Sequence, residues 1–324
     1  MERSRLLQCL AADYMRLREV AGTGLKAQVP SCPGWTVSDL VRHVGQVYLH
    51  KATVMHTGAW PDPWPPSETA TEDPIALLDR AYGALTHAFS RRGDTDRALT
   101  WHDPDQTVKF WIRRMAQESV IHRVDAELAH DVDSAPIPDD LAVDGIDEVL
   151  QVMVGFGSHA WHEELTDVLA TAKGRTIRVQ VAPASAVATS SAPSTSSPSA
   201  PASTSAGSSS SAPAGAASST SVPAPPSAAD GSPFPEFVPA WLIRIDPEGA
   251  TITPITSATA RAASSAATPP PTPDAVVTGP PAHLLRWLWS RESTPTTDVH
   301  PPIRVDGDEE AINELHALLR ALTQ

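Results

Sequence analysis

Glu118 and His122 have the residue types and the spacing that a divalent metal site needs. They are four residues apart in a segment with helical periodicity, so both side chains lie on one helix face, one turn apart. His43, in an earlier helical segment, could complete the set, and two histidines with one carboxylate leave a coordination position open, as in catalytic zinc sites. The spacing of Glu118 and His122 alone favours a pair on an exposed helix surface, so it does not decide whether they bind a metal.

His159 and His162 form a second candidate pair, of the type His-x-x-His, and Glu163 follows directly. The pair lies beside a predicted helix break at Gly155 and Gly157 and has no evident third ligand. We therefore rank this pair below His43, Glu118 and His122 as a metal site.

The first 172 residues have helical periodicity and no strand pattern, which predicts a helix bundle. The second helix begins at Thr36, because Thr36 and Asp39 have the spacing of a capping box. Asp73 precedes Pro74 and is the predicted N-cap of the third helix. Helices are predicted at about residues 2–21, 36–57, 73–92 and 106–130, and a fifth helical region follows residue 138 and runs to 172.

From Arg175 onward the periodicity changes to two, which indicates strands. Strands are predicted at 177–181, 274–278 and 303–305, a hairpin at 241–253, and helices at 280–291 and 309–322. This mixture is typical of a small α+β domain. We therefore predict an N-terminal helix bundle at residues 1–172 and a C-terminal α+β domain at residues 173–324.

Two low-complexity tracts interrupt the second domain, at about residues 182–233 and 256–273. Residues 182–229 are Ala, Ser, Pro or Thr except for two valines and two glycines. Such a segment buries too little apolar surface to offset the entropy of ordering it. We predict disordered insertions, and the long one follows the first strand of the domain.

Composition excludes several function classes. The net charge is −14 and no cluster of Lys and Arg occurs, which argues against nucleic acids and anionic membranes as partners. No apolar stretch is long enough to span a bilayer. The two cysteines cannot make a disulfide framework, which favours a reducing, cytoplasmic compartment.

Two local sequences resemble motifs of the mycothiol-dependent maleylpyruvate isomerase family. One runs from Ser31 to His43 and reads SCPGWTVSDLVRH; the other runs from Trp111 to Glu127 and reads WIRRMAQESVIHRVDAE. Residues 274–279, 284–291 and 305–308 are similar to the C-terminal domain of the family. Val124 and Ser290 depart from it, since a tryptophan and a glycine are common there.

The resemblance implies a four-helix bundle in which His43, Glu118 and His122 bind zinc or another divalent metal. It also implies mycothiol, the sugar thiol of actinobacteria, as cofactor. The metal would lower the pKa of this thiol. The thiolate would then add to the cis double bond of a small maleyl-type dicarboxylate, and rotation and elimination would give the trans isomer. Cys32 is then not needed as a nucleophile and is interpreted as a small buried residue.

Three further residues are predicted to act in catalysis. Arg123 either pairs with a substrate carboxylate or forms an ion pair with Asp125 or Glu127 on the helix surface. Asp125 could orient the imidazole of a metal ligand. From the C-terminal helix, Arg291, or alternatively Arg286, could reach over the site.

Two other functions fit the same residues. One is a mycothiol S-transferase, in which the thiol stays in the product instead of being released. The other is a metal-binding or regulatory protein without catalysis, although the presence of all three predicted ligands argues against it.

Overall fold

The computed structural model describes residues 1–182, 238–256, 272–292 and 302–323. Apart from a few end residues, the predicted insertions at 182–233 and 256–273 lie outside the described residues.

Four helices form the N-terminal bundle, as predicted. They are α1 (Arg3–Ala21), α2 (Val37–Thr57), α3 (Pro74–Ser90) and α4 (Val108–Ala129), with a short 3-10 turn at Ser67–Ala70. Helix α2 packs along α3, α1 packs along α4, and α2 and α4 are also in contact. The contact between α2 and α4 brings the predicted metal ligands to one place.

Local capping interactions fix where two of these helices begin. The Thr36 hydroxyl accepts a hydrogen bond from the Asp39 backbone N–H, and the Asp39 carboxylate accepts one from the Thr36 N–H. Asp73 accepts from the Ala76 N–H at the start of α3. Both predicted helix starts are confirmed, and α2 therefore begins six residues before His43.

The predicted helix break at Gly155 and Gly157 is wrong. Helix α5 (Asp139–Glu148) continues as a π-helical segment (Val149–Phe156) into the short α6 (Gly157–Ala160), and the chain turns only at residues 161–165, before α7 (Thr166–Leu169). Gly157 serves close packing instead: a Cβ there would lie 2.7 Å from the Trp161 ring. Glycine is needed at these positions because side chains from other parts of the chain pack closely against them, and a local sequence pattern does not show such contacts.

A five-stranded mixed sheet forms the second layer, in the order β3-β2-β1-β4-β5. Strand β1 pairs in parallel with β4, and the other neighbours are antiparallel. The strands are β1 (Arg175–Val181), β2 (Ala240–Asp246), β3 (Gly249–Ile255), β4 (Ala275–Gly279) and β5 (Arg304–Gly307). Residues 182–233 fall between β1 and β2 in the sequence, so the predicted α+β fold of this region and the sequence position of its long tract are confirmed.

Two helices of the second domain pack against the helical region. Helix α8 (Pro281–Leu288) lies against α5, and α9 (Glu309–Thr323) lies against the π-helical segment. Buried side chains from the bundle, the sheet and both helices form one hydrophobic cluster. This packing brings the residues after α8 next to the bundle groove. Within the described residues, no helix is long and apolar enough to cross a membrane.

Candidate metal centre

His43, Glu118 and His122 converge between α2 and α4. The Glu118 Oε1 atom lies 3.3 Å from His43 Nε2 and 3.1 Å from His122 Nε2, and one ligand atom from each residue lies within 4.8 Å of the others. Zinc–ligand bonds of about 2.0–2.1 Å at tetrahedral angles separate ligand atoms by about 3.3 Å. The donor types and these two spacings therefore fit a metal ion.

The three residues lie at one end of a cavity of about 610 Å³. Helices α2 and α4 run antiparallel along it, because His43 lies beside His122 while Lys51, two turns later, lies over Trp111 at the start of α4. The cavity is lined from the loop before α2, from α2, from α4, and from residues after α4 and α8. Its volume is within the range of small-molecule sites.

Asp125 connects His122 to the C-terminal domain. Its Oδ2 atom lies 2.9 Å from His122 Nδ1, which leaves Nε2 of this imidazole directed at Glu118. Arg291 donates two hydrogen bonds to the same carboxylate, at 2.8 and 2.9 Å, and Ser31 donates a third. Burial by itself would raise the pKa of Asp125, but His122 and Arg291 hold it well below its usual value.

Arg114 holds Glu118, another of the three candidate ligands, by an ion pair. Its guanidinium donates to Glu118 and, at 2.5 Å, to the buried Glu148. Burial opposes ionisation of Glu118, but Arg114 and His122 lower its pKa well below the usual value. Burial raises the pKa of Glu148.

His122 lies in an environment that favours positive charge. Burial lowers its pKa, but the neighbouring Glu118 and Asp125 outweigh that effect and raise it to about 9. A metal ion at Nε2 would therefore compete with a proton, as expected for a ligand between carboxylates.

Arg291 reaches the cavity because the chain reverses after α8. Ser290 adopts a φ of 59°, in the left-handed region, and Arg291 follows it. Besides its two bonds to Asp125, the guanidinium donates to the Trp289 carbonyl at 2.6 Å. Arg286 instead forms an ion pair with Glu292 at 2.8 Å and does not line the cavity.

Arg123 is not brought to the cavity. It lies on another face of α4 and is almost fully buried, with its guanidinium bonded to Asp13 at 3.0 Å and to Glu127 at 2.7 Å. The ion pair with Glu127 was one of the two alternatives that the sequence offered for Arg123. The pair lies in the core, however, and not on the helix surface as expected.

The remaining sequence candidates have other contacts. His162 Nε2 lies 2.9 Å from the Pro247 carbonyl oxygen, and His159 packs against Gly249. Within the described residues, only His43, Glu118 and His122 cluster as three metal-binding side chains. Cys32 lines the cavity and is half-buried, and burial raises the pKa of its thiol.

Sequence analysis did not single out Lys51 and Arg114, although both line the cavity. The signal was available in the spacing, since Arg114 precedes Glu118 by four residues and Lys51 follows His43 by eight. Trp101 and Trp161 also line the cavity, but they come from segments whose position depends on tertiary packing.

Two comparisons with known proteins give matches for this chain. Residues 7–127 match the family model described as the mycothiol maleylpyruvate isomerase N-terminal domain. A crystal structure of the mycothiol-dependent maleylpyruvate isomerase superposes with a TM-score of 0.50 at 13% identity, covering 93% of this chain and 97% of that chain. A structure of a mutant of that isomerase gives a TM-score of 0.47 at 12% identity, with the same coverage.

No curated protein matches the chain in sequence. The matched residues 7–127 contain His43, Glu118 and His122, which lie together in the structure. Residues 7–127 therefore match the N-terminal domain of the mycothiol maleylpyruvate isomerase family, and the chain has the overall fold of the mycothiol-dependent maleylpyruvate isomerase.

Proposed function

We propose that this protein is a metal-dependent enzyme that uses mycothiol to isomerise a small cis-unsaturated acid. The observation that carries the proposal is the set of His43, Glu118 and His122 ligand atoms at the spacing a metal ion needs, at the end of a ligand-sized cavity. The match of residues 7–127 supports mycothiol as the thiol.

His43, Glu118 and His122 would hold the metal. A zinc ion bound there would lower the pKa of the mycothiol thiol, so that the thiol reacts as a thiolate. Addition of the thiolate to the cis double bond leaves a single bond that can rotate, and its elimination gives the trans isomer and free thiol.

Asp125, Arg291 and Arg114 act as positioning residues in this proposal. Asp125 accepts the Nδ1 proton of His122 and so keeps Nε2 free to bind the metal. Arg291 holds Asp125, and Arg114 holds Glu118. Arg123 has no part in it, because its guanidinium is bonded in the core.

Metal content per chain is the first test. We expect about one zinc or similar ion in the wild type, measured by mass spectrometry after zinc reconstitution, with loss in His43→Ala and Glu118→Ala. His159→Ala is the matched control and keeps the metal. A wild type that takes up no metal after reconstitution would overturn the proposal.

Product analysis tests the reaction itself. With mycothiol and maleylpyruvate, we expect a trans product of unchanged mass and recovery of the free thiol. A stable product whose mass includes the thiol would contradict isomerisation and identify an S-transferase at the same site. Unreacted substrate with metal-loaded protein would favour a binding protein.

A further inference from the structure

Lys51 occupies the end of the cavity opposite the metal ligands. It is eight residues after His43 on α2, which corresponds to about 12 Å along the helix axis. Its Nζ atom lies 4.7 Å from the centroid of the Trp111 ring, one of the first residues of α4. The groove between α2 and α4 therefore has the His43, Glu118 and His122 cluster at one end and an ammonium group at the other.

Lys51 differs from the other two cations that line the cavity. Arg114 is bonded to Glu118 and Glu148, and Arg291 is bonded to Asp125. Within the described residues, no carboxylate oxygen lies within 4.0 Å of the Lys51 ammonium, whose Nζ atom lies 3.3 Å from His50 Nδ1. Among the arginines and lysines of the described residues that line the cavity, Lys51 is therefore the one without a carboxylate in direct contact, although the charge of Glu118 acts on it from a distance.

The surroundings of Lys51 make this charge unfavourable in the free protein. The ammonium lies over the face of the fully buried Trp111, and burial lowers the pKa of Lys51 to about 8. A cation–π contact offsets only part of the lost hydration. At neutral pH the amine still carries its proton, so an anion entering this end of the groove would find a partly desolvated counter-charge.

We propose that Lys51 binds the carboxylate of the substrate that is remote from the reacting double bond, and so selects acids over neutral electrophiles. This inference rests on the proposed function, since it assigns the substrate of the same site. The other carboxylates near the cavity belong to the protein and are paired with arginines, so the substrate is the available source of a partner for Lys51.

The wall between the two ends suits the carbon chain of such an acid. Val47 and Met115 line the cavity on the two facing helices, and Trp101 also lines it. An apolar wall with a charge at one end and metal ligands at the other fits a short dicarboxylate lying along the groove. Its reacting carbons would then lie near His43, Glu118 and His122.

Calorimetric titration of the zinc-loaded full chain tests this assignment. The probes are unreactive saturated dicarboxylates of four to seven carbons, from succinate to pimelate, together with neutral succinamide. We expect at least one dicarboxylate to bind the wild type. We expect Lys51→Met to weaken that binding at least tenfold, with Lys51→Arg restoring most of it and succinamide affinity unchanged.

Lys26→Met is the matched control, because Lys26 is exposed and does not line the cavity. It should bind the dicarboxylates as the wild type does. Melting temperatures of all variants are compared, and Lys51→Met should melt no lower than the wild type because it removes a partly desolvated charge. Equal dicarboxylate affinity in Lys51→Met and wild type, or a wild type that binds none of the acids, would overturn the inference.

The same variants separate this inference from the proposed reaction. If mycothiol-dependent isomerisation occurs and Lys51→Met leaves the KM for the acid unchanged, the Lys51 assignment fails while the function stands. If dicarboxylate binding depends on Lys51 but no isomerisation occurs, the reaction fails while the carboxylate subsite stands.

Discussion

Helix α4 carries two buried ion-pair networks that serve different purposes. The cavity network comprises Arg114, Glu118, His122, Asp125 and Arg291, and it surrounds the candidate metal site. The core network comprises Asp13, Arg16, Arg123, Glu127 and Ser134, and it ties α1 and the loop after α4 to the helix. Each contains an arginine and a glutamate four residues apart on α4, and residues of the first network line the cavity.

The spacing of charged residues along a helix therefore does not show whether a pair lines a site or stabilises the core. Arg114 and Glu118 are four residues apart, as are Arg123 and Glu127. Across from the first pair lies α2 with His43, while across from the second lies α1 with Asp13. Whether such a pair belongs to a candidate site or to the core therefore depends on which helix packs against it.

Removing Arg123 should cause the largest loss of stability. Arg123→Met leaves Asp13 and Glu127 buried without their main counter-charge, which costs about 3–5 kcal/mol. Chemical denaturation measures the loss, and zinc per folded chain should stay as in the wild type. Arg80→Met, which removes a half-exposed pair with Glu72, should cost less than about 1 kcal/mol. Loss of zinc from folded Arg123→Met would show that the two networks are not separate.

Removing the Asp125 charge should weaken metal binding without abolishing it. Asp125→Asn loses the acceptor that orients His122, and changes of this kind reduce metal affinity by about 10–100-fold. Competition with a zinc chelator measures the affinity. The matched control is Asp13→Asn in the core network, which should bind zinc as the wild type does. Equal affinity in Asp125→Asn and wild type would remove Asp125 from the metal site.

The two buried aspartates should respond to pH with opposite signs. Burial raises the pKa of Asp13 to about 6, against the opposing charge of Arg123. Between about pH 4 and 6 the folded protein then holds a proton that the unfolded chain has lost, so stability from this group falls as pH rises, by up to about 1.4 kcal/mol per pH unit. The lowered pKa of Asp125 instead gives stability that is present above about pH 4 and lost on further acidification.

Denaturant titrations of wild type and Asp13→Asn from pH 4 to 7 check this sign. The difference in free energy of unfolding, wild type minus variant, should decrease as pH rises toward 6. A difference that is constant over this range would show that Asp13 titrates normally.

The smallest expected effect is at the turn that delivers Arg291. Ser290 has a φ of 59°, which side chains with a Cβ adopt at a cost that glycine avoids. Ser290→Gly should stabilise the chain by about 0.5–1 kcal/mol, after allowing for the greater entropy of glycine in the unfolded state. Thermal unfolding measures it, with unchanged zinc affinity. A lower melting temperature in Ser290→Gly would contradict a strained turn, whereas Ser290→Ala should not gain stability.

Sequence reasoning succeeded where the signal is local. The Thr36 capping box depends on residues three apart and located the start of α2. The motif resemblance placed His43, Glu118 and His122 together, although spacing alone had favoured a surface pair. Periodicity also separated the helical region from the strands that begin at Arg175.

It failed where the outcome depends on distant contacts. Arg123 and Asp125 are two residues apart, yet about 200° of helical rotation directs one to the core and the other to the cavity. Gly155 and Gly157 suggested a break because their packing against Ile252 and Trp161 is invisible in a local pattern. Lys51 could not be recognised as a cavity residue from the sequence, because its location depends on how α2 packs against Trp111 of α4.

The hydrogen-bonded series Arg291, Asp125 and His122 would couple metal binding at the proposed site to docking of the C-terminal region. Arg291 follows α8 and His122 lies on α4, so docking of the C-terminal region orients the proposed ligand, and an ion bound there would in turn favour docking. Thermodynamic linkage requires the two couplings to be equal in free energy. Zinc starvation should therefore loosen the C-terminal domain, which would make proteolytic sensitivity of that domain a reporter of metal supply.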